Sequence, residues 1–132
     1  MVGLLMITHN RIGDALLDTA IHTLGICPIM VKVLAVMPDC DPAILLDEAR
    51  GLVSQLDQGD GVLVLTDMYG STPSNIANHL ADGERVMVIT GINLPMLIRV
   101  VNYPTLSLPD LARKAESGGL EGIFICSSAS KV

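Results

Sequence analysis

The stretch that decides the fold spans residues 61–75 and reads Gly-Val-Leu-Val-Leu-Thr-Asp-Met-Tyr-Gly-Ser-Thr-Pro-Ser-Asn. Its apolar first part is typical of a strand buried on both faces, and a carboxylate, Asp67, follows that strand. In the Gly-Ser-Thr-Pro turn, Thr72 is a candidate N-cap and Pro73 is the expected first residue of a helix. Because open α/β sheets bind ligands at the carboxyl ends of their strands, we expect a binding site here. Free backbone N–H groups at such a helix start suit an anion.

The composition fits one domain. The chain has 132 residues, of which 50% are hydrophobic, and this is enough for a single substantial core. Aromatic residues make up only 2%, so the core must be built from aliphatic side chains. No apolar run approaches the roughly 20 residues of a membrane span, and the N-terminus does not resemble a signal peptide. We therefore expect a cytoplasmic protein that does not insert into a membrane.

Charge and cysteine usage exclude further classes. The formal net charge is -6, and the eight basic residues are scattered, which disfavours a nucleic-acid surface. Cys27, Cys40 and Cys126 are odd in number and form no C-x-x-C pair, so neither a disulfide framework nor a structural zinc site is supported. We expect three reduced thiols.

Apolar runs alternate with segments of helical spacing along the whole chain. Strands are predicted at residues 2–7, 30–36, 61–65 and 85–90, with helices between them and a last helix that ends at Gly118 and Gly119. This alternation predicts an α/β fold, a three-layer helix-sheet-helix with a mostly parallel central sheet. A short final strand is predicted at residues 123–126. One domain is expected over residues 1–126, followed by a short polar tail at residues 127–132.

His9 and Asp67 are the candidate catalytic residues. The first and third strands of such sheets are often neighbours, which would bring both side chains to one edge. His9 can be a structural loop histidine, or it can be a nucleophile, since neutral imidazole attacks phosphorus or carbonyl carbon. Asp67 can be a solvated turn residue, or it can accept the N–H of the other ring nitrogen and so fix the tautomer.

The turn formed by Gly70, Ser71 and Thr72 is the candidate phosphate-binding loop. Taken alone, it is also an ordinary helix start. If phosphate is bound, the Ser71 and Thr72 amides and the Thr72 hydroxyl can hold its oxygens without a metal ion. Motifs of nucleotide triphosphatases, dinucleotide enzymes and serine hydrolases are absent. His22 and His79 are expected to be merely solvated or capping.

Three motifs together resemble a known family, the mannose-type enzyme IIA component of the bacterial phosphoenolpyruvate-dependent sugar phosphotransferase system. They are Ile7-Thr8-His9, then Thr66-Asp67 with Gly70-Ser71-Thr72-Pro73-Ser74-Asn75, and finally Gly91-Ile92-Asn93-Leu94-Pro95-Met96-Leu97. The resemblance covers nearly the whole chain, and three motifs in the right order are far more specific than any one.

The resemblance implies a phosphocarrier that needs no metal ion or other cofactor. The histidine that matches His9 takes a phosphoryl group from phosphorylated HPr and passes it to a IIB protein or domain. The aspartate that matches Asp67 accepts the Nδ1 hydrogen and leaves Nε2 to be phosphorylated, beside the loop that matches Ser71 and Thr72. The family also forms homodimers in which a C-terminal strand can cross to the partner's sheet, antiparallel to the rest, and residues 123–126 are the matching segment.

Several alternatives stay open at this stage. Many family members are fused to a IIB domain, whereas this sequence stops at Val132, so a separate IIB acceptor is expected, or a regulatory role without transport. Ser71 stands where a second glycine is common. A related possibility is the phosphocarrier subunit of a dihydroxyacetone kinase. In a receiver domain Asp67 itself would be phosphorylated, but Thr8, His9 and Asn10 stand where receivers carry the carboxylates that hold Mg²⁺.

Overall fold

The computed structural model describes residues 1–127, which form four strands and five helices. The strands are β1 (Gly3–His9), β2 (Val31–Val36), β3 (Val62–Thr66) and β4 (Val86–Ile89). The helices are α1 (Ile12–Leu24), α2 (Pro42–Leu56), α3 (Thr72–Leu80), α4 (Leu94–Val101) and α5 (Leu108–Glu121). Among these residues, no helix is both long enough and apolar enough to cross a membrane.

The four strands make one parallel sheet in the order β2-β1-β3-β4. The predicted α/β class, with a parallel sheet and adjacent first and third strands, is therefore confirmed. β1 and β3 lie in the centre, and all five residues of β3 are buried, which explains why its sequence is an unbroken apolar run. Pairing of β1 with β3 ends at Ile7 opposite Thr66, while pairing with β2 continues to His9 opposite Val36.

Helices cover both faces of the sheet. Alternate residues of the central strands point to opposite sides, so Leu4 and Leu63 pack with α1, α4 and α5, whereas Leu5 and Val64 pack with α2 and α3. The core is aliphatic on both sides, in agreement with the aromatic-poor composition. These two layers of packing confirm the three-layer arrangement.

Side-chain caps start three of the helices. The Asp41 carboxylate accepts a hydrogen bond from Ala43 N at 3.0 Å, as the Asp-Pro start predicts, and Asn93 Oδ1 accepts from Met96 N at 2.9 Å. Ser107 Oγ accepts a longer bond from Asp110 N, at 3.4 Å. The first two caps satisfy N–H groups that would otherwise lack an acceptor at the carboxyl edge of the sheet.

The predicted end of the last helix is wrong. α5 continues through Gly118 and Gly119 to Glu121. A Cβ on Gly118 would lie 2.6 Å from Arg99 Cβ, and a Cβ on Gly119 would lie 2.9 Å from Met96 Cε. The glycines are there because α5 packs directly against α4, and they do not terminate the helix.

The predicted strand at residues 123–126 is also absent from the described chain. These residues follow α5 without regular structure, and Ile123, Phe124 and Ile125 are 72%, 71% and 98% exposed. A strand requires a ladder partner, and among residues 1–127 this segment pairs with no strand. Of the predicted polar tail, residues 128–132 lie outside the described residues.

Candidate active site

His9 and Asp67 meet at the carboxyl edge of the sheet. The distance from His9 Nδ1 to Asp67 Oδ2 is 2.9 Å, and the same oxygen accepts a hydrogen bond from His9 N, also at 2.9 Å. The second oxygen, Oδ1, accepts from Met68 N at 3.0 Å. The carboxylate therefore contacts the backbone and the ring of the histidine at once.

The sheet topology explains this meeting. β1 and β3 are neighbouring parallel strands, so both carboxyl ends reach the same edge. Asp67 is the first residue after β3, and His9 is the last residue of β1. Each side chain is thus placed by a buried strand, which is more rigid than a surface loop.

The protonation geometry of the ring follows from its partner. An ionised carboxylate only accepts hydrogen bonds, so Nδ1 of a neutral His9 carries the hydrogen and Nε2 keeps its lone pair. The His9 side chain is 37% exposed, whereas that of Asp67 is 12% exposed. An incoming group can therefore reach the imidazole while the carboxylate stays shielded behind it. This arrangement suits a nucleophilic histidine.

Hydrogen bonds between its own residues stabilise the loop after Asp67. Gly70 has a φ of 80°, which favours glycine, and its N–H donates to Ser74 Oγ at 3.3 Å. Ser71 Oγ donates to Met68 O, so this hydroxyl closes the turn. The predicted N-cap is wrong by one position. Thr72 is the first helical residue, and Ser71 occupies the cap position without a side-chain cap bond, because its hydroxyl is already used in the turn.

The start of α3 presents backbone N–H groups at this edge. The first intrahelical bond runs from Asn75 N to Ser71 O at 2.9 Å. Within residues 1–127, no acceptor contacts the amides of Thr72 and Ser74, and Pro73 has no N–H. The Ser71 amide, in contrast, makes a long 3.4 Å bond to Met68 O. Ser74 is completely buried, so the positive end of the helix is open to an anion mainly through the amide of Thr72.

The other two histidines lie away from this pair. His22 Nδ1 bonds to Asp18 O and His79 Nδ1 bonds to Asn75 O, each four residues earlier on its own helix, and both side chains are exposed. Sequence reasoning did not single out Ser74 as the brace for Gly70. The only signal was a small polar residue four positions after a glycine, which is weak by itself.

A family model described as the fructose IIA component of the phosphotransferase system, EIIA-man, matches residues 3–115. The chain belongs to this family. The match includes both His9 and Asp67 and every strand of the sheet. It supports a phosphocarrier role in a sugar phosphotransferase system, and a receiver domain is correspondingly disfavoured.

Two relatives agree with this membership. The mannose-specific EIIAB component of Escherichia coli strain K12 is 30% identical over 125 residues, which are 92% of this chain and 38% of that protein. This chain therefore spans well under half the length of that relative. The fructose-specific EIIA component of Bacillus subtilis strain 168 is 34% identical over 68 residues, which cover 50% of this chain and 47% of that protein.

Solved structures show the same fold. A phosphotransferase system EIIA component from Streptococcus agalactiae superposes with a TM-score of 0.79 at 25% identity, covering 95% of this chain and 97% of the other. The mannose/sorbose-specific IIA subunit from Enterococcus faecalis gives a TM-score of 0.84 at 20% identity, with 96% and 95% covered. At such identity the second likeness concerns the fold alone.

Proposed function

We propose that this chain is a cytoplasmic phosphocarrier of a mannose-type sugar phosphotransferase system. His9 accepts a phosphoryl group from phosphorylated HPr and passes it to a IIB protein or domain. The observation that carries the proposal is the 2.9 Å contact between His9 Nδ1 and Asp67 Oδ2, which leaves Nε2 as the free nucleophile at the ligand-binding edge of the sheet.

The chemistry fits these groups. Nε2 donates its lone pair to phosphorus, an N–P bond forms on His9, and the N–P bond of the donor's phosphohistidine breaks and returns its electron pair to the donor ring. Transfer of a phosphoryl group between two imidazoles changes the free energy little. The protein therefore mainly has to position the ring and stabilise the negative charge on the phosphoryl oxygens. Asp67 serves the first task. In this proposal the amide and the hydroxyl of Thr72, at the start of α3, serve the second.

The first test is phosphoryl transfer from labelled phosphoenolpyruvate through enzyme I and HPr. We expect label on the wild-type protein and none on His9→Ala. His22→Ala and His79→Ala are matched controls, because each removes an exposed imidazole from a helix and should label normally. The label should be acid-labile and base-stable, as a phosphohistidine is. Normal labelling of His9→Ala would sink the assignment.

The second half of the cycle needs its own assay. Label on His9 should be chased onto a purified mannose-type IIB protein from the same organism. Retention of the label in the presence of every such IIB protein would favour the regulatory alternative, in which a partner reads the phosphorylation state of His9. Transfer to IIB would establish the carrier role.

We also propose that two copies associate through the C-terminal segment. β4 is an edge strand, and beside it lies a cavity of about 450 Å³ whose lining includes Val88, Met96 and Leu120. Ile123, Phe124 and Ile125 are exposed apolar residues directly after α5. The edge of one sheet and the segment of a second copy are therefore complementary in chemistry.

Sedimentation measurements test this association. A double change, Phe124→Ser with Ile125→Ser, should convert a dimer to a monomer. Ile26→Ser is the matched control, since Ile26 is also apolar and 67% exposed but lies between α1 and β2. A wild-type protein that sediments as a monomer at all concentrations would refute the dimer.

A further inference from the structure

Thr8 precedes His9, and its hydroxyl has a structural partner. Thr8 is completely buried, and its Oγ1 accepts a hydrogen bond from Gly13 N at 2.8 Å. Gly13 lies in the first turn of α1, where backbone N–H groups have no partner within the helix. Arg11, at the cap position, provides no side-chain acceptor. Thr8, in β1, therefore caps the N-terminus of α1 in place of the cap residue of that helix.

Gly13 fits this contact because it has no side chain. A Cβ at this position would lie 2.7 Å from Thr8 Oγ1 and 2.9 Å from Val33 Cγ1, closer than real Cβ contacts allow. The first turn of α1 thus lies directly on the hydroxyl of Thr8. The pair makes a tight joint between the end of β1 and the start of α1.

Hydrogen bonds hold the backbone between Thr8 and Gly13. His9 N donates to Asp67 Oδ2, and Asn10 N donates to Val36 O at 2.9 Å. Asn10 has a φ of 48°, a left-handed conformation that asparagine tolerates better than most residues. The hydrogen bond from Gly13 N to Thr8 Oγ1 then closes the loop. His9 is therefore fixed on its N-terminal side by the sheet and on its C-terminal side by this joint.

We propose that Thr8, acting with Gly13, is a positioning residue that holds the His9 ring against Asp67. The expected effect of Thr8 on the rate of phosphoryl transfer rests on the proposed phosphocarrier function, whereas its effect on the orientation of the His9 ring does not. Without the hydroxyl, the buried N–H of Gly13 loses its acceptor, and the first turn of α1 must move to find another. The loop of residues 9–12 then loosens, and the contact between His9 Nδ1 and Asp67 is made for a smaller share of the time.

The chain offers a matched control for this change. Thr66 is the other completely buried threonine at the same sheet edge, and its Oγ1 has no hydrogen-bond partner among the described residues. Thr8→Val and Thr66→Val remove the same hydroxyl from neighbouring strands, but only the first removes a bond. Thr8→Ser keeps the acceptor and serves as the conservative variant.

Two measurements are made on all these proteins. The first is the set of ¹⁵N chemical shifts of the His9 ring in the unphosphorylated protein at a pH where imidazole is neutral, because these shifts report which nitrogen carries the hydrogen. The second is the single-turnover rate of phosphorylation by HPr. Thr8→Val should shift the ring away from the Nδ1–H form and slow transfer roughly ten- to a hundredfold. Thr8→Ser and Thr66→Val should stay within about twofold of wild type in rate.

The outcomes separate the two proposals. A Thr8→Val protein whose ring spectrum matches wild type overturns the positioning role, as does an equal change in Thr66→Val. A changed spectrum with an unchanged transfer rate overturns its kinetic consequence. If the wild type takes no phosphoryl group, the proposed function fails, yet the spectra still decide the positioning role.

A second pair of variants covers the case in which Thr8→Val does not fold. Gly13→Ala keeps the hydroxyl but forces the joint apart, while Gly51→Ala makes the same change in α2, where an added Cβ meets nothing within 4 Å. Gly13→Ala should alter the His9 ring spectrum, and Gly51→Ala should not. Wild-type spectra for a folded Gly13→Ala protein count against the proposal.

Discussion

Replacing Asp67 by asparagine tests the central contact of the site with almost no change in shape. The carboxylate accepts three hydrogen bonds, two from His9 on Oδ2 and one from Met68 N on Oδ1. An amide has one accepting oxygen and one donating nitrogen. Whichever way the new side chain of Asp67→Asn turns, an NH₂ group faces an N–H that needs an acceptor. If the NH₂ faces the ring, His9 must shift to the tautomer with hydrogen on Nε2, and the nucleophile is lost.

The size of the effect follows from the bonds at risk. A hydrogen bond to a charged group contributes about 1.5–3 kcal/mol. Since about 1.4 kcal/mol corresponds to a factor of ten in rate, loss of the bond that orients the ring predicts a slowing of roughly 10- to 150-fold. The protein should still fold, because only a partly exposed pair at the sheet edge is disturbed and the core is untouched.

The assay is single-turnover phosphorylation by HPr, with urea unfolding to check stability. Asp41→Asn is the matched control, because it removes one negative charge from the same sheet edge but at an N-cap, where asparagine works as well as aspartate. Its rate should equal that of wild type. If Asp67→Asn transfers as fast as Asp41→Asn, the carboxylate does not orient the ring, and the role given to Asp67 is wrong.

Three further predictions concern stability, each measured by urea unfolding. The hydrogen bond from Arg85 holds the pKa of Asp57 below its usual value, so this pair stabilises the fold above the unfolded pKa and ceases to do so as pH falls through the folded one. Wild type should therefore lose more stability than Asp57→Asn between about pH 5 and about pH 3; equal losses would contradict this. Gly118→Ala should destabilise by roughly 1–3 kcal/mol because its Cβ has no room, whereas Gly51→Ala should stabilise by about 0.5–1 kcal/mol; a neutral Gly118→Ala would mean that the helices separate easily. Thr66→Val should stabilise by roughly 1 kcal/mol, since it removes a buried hydroxyl without a partner among the described residues, and a loss of stability would reveal one.

Sequence patterns predicted the strands and helices well where burial alone decides them. The runs around Leu5 and Val64 are apolar because both faces of the central strands are covered. The neighbourhood of His9 and Asp67 followed from topology, because parallel strands of this order place their carboxyl ends at one edge. In both cases a general rule determined the answer without any detail of packing.

The errors came where a tertiary contact overrides a local preference. Gly118 and Gly119 have the sequence of a helix end, yet α4 packs so closely that only glycine fits within a continuing helix. The Ser71 hydroxyl bonds to Met68 O and so leaves the cap position uncapped. The sequence did not predict the contact between Thr8 and Gly13 either, since a threonine and a glycine five residues apart form no recognisable pattern. Such contacts depend on how elements meet, which local spacing does not encode.

The hydrogen bonds of Asp67 also explain why the carboxylate stands directly after β3. Backbone pairing between β1 and β3 stops at Ile7 opposite Thr66, but β1 continues for two more residues beside β2. The N–H of His9 therefore faces the end of β3 without a further strand residue to accept from it. The Asp67 carboxylate accepts a hydrogen bond from that N–H and, with the same oxygen, one from the ring Nδ1.

The last hydrogen bond along the sheet edge and the hydrogen bond that orients the ring thus share one acceptor, Asp67 Oδ2. The register of the two strands therefore sets the direction of the imidazole. A shift of one residue in this register would move the carboxylate away from His9, which is why a site of this kind requires the rigid centre of a parallel sheet.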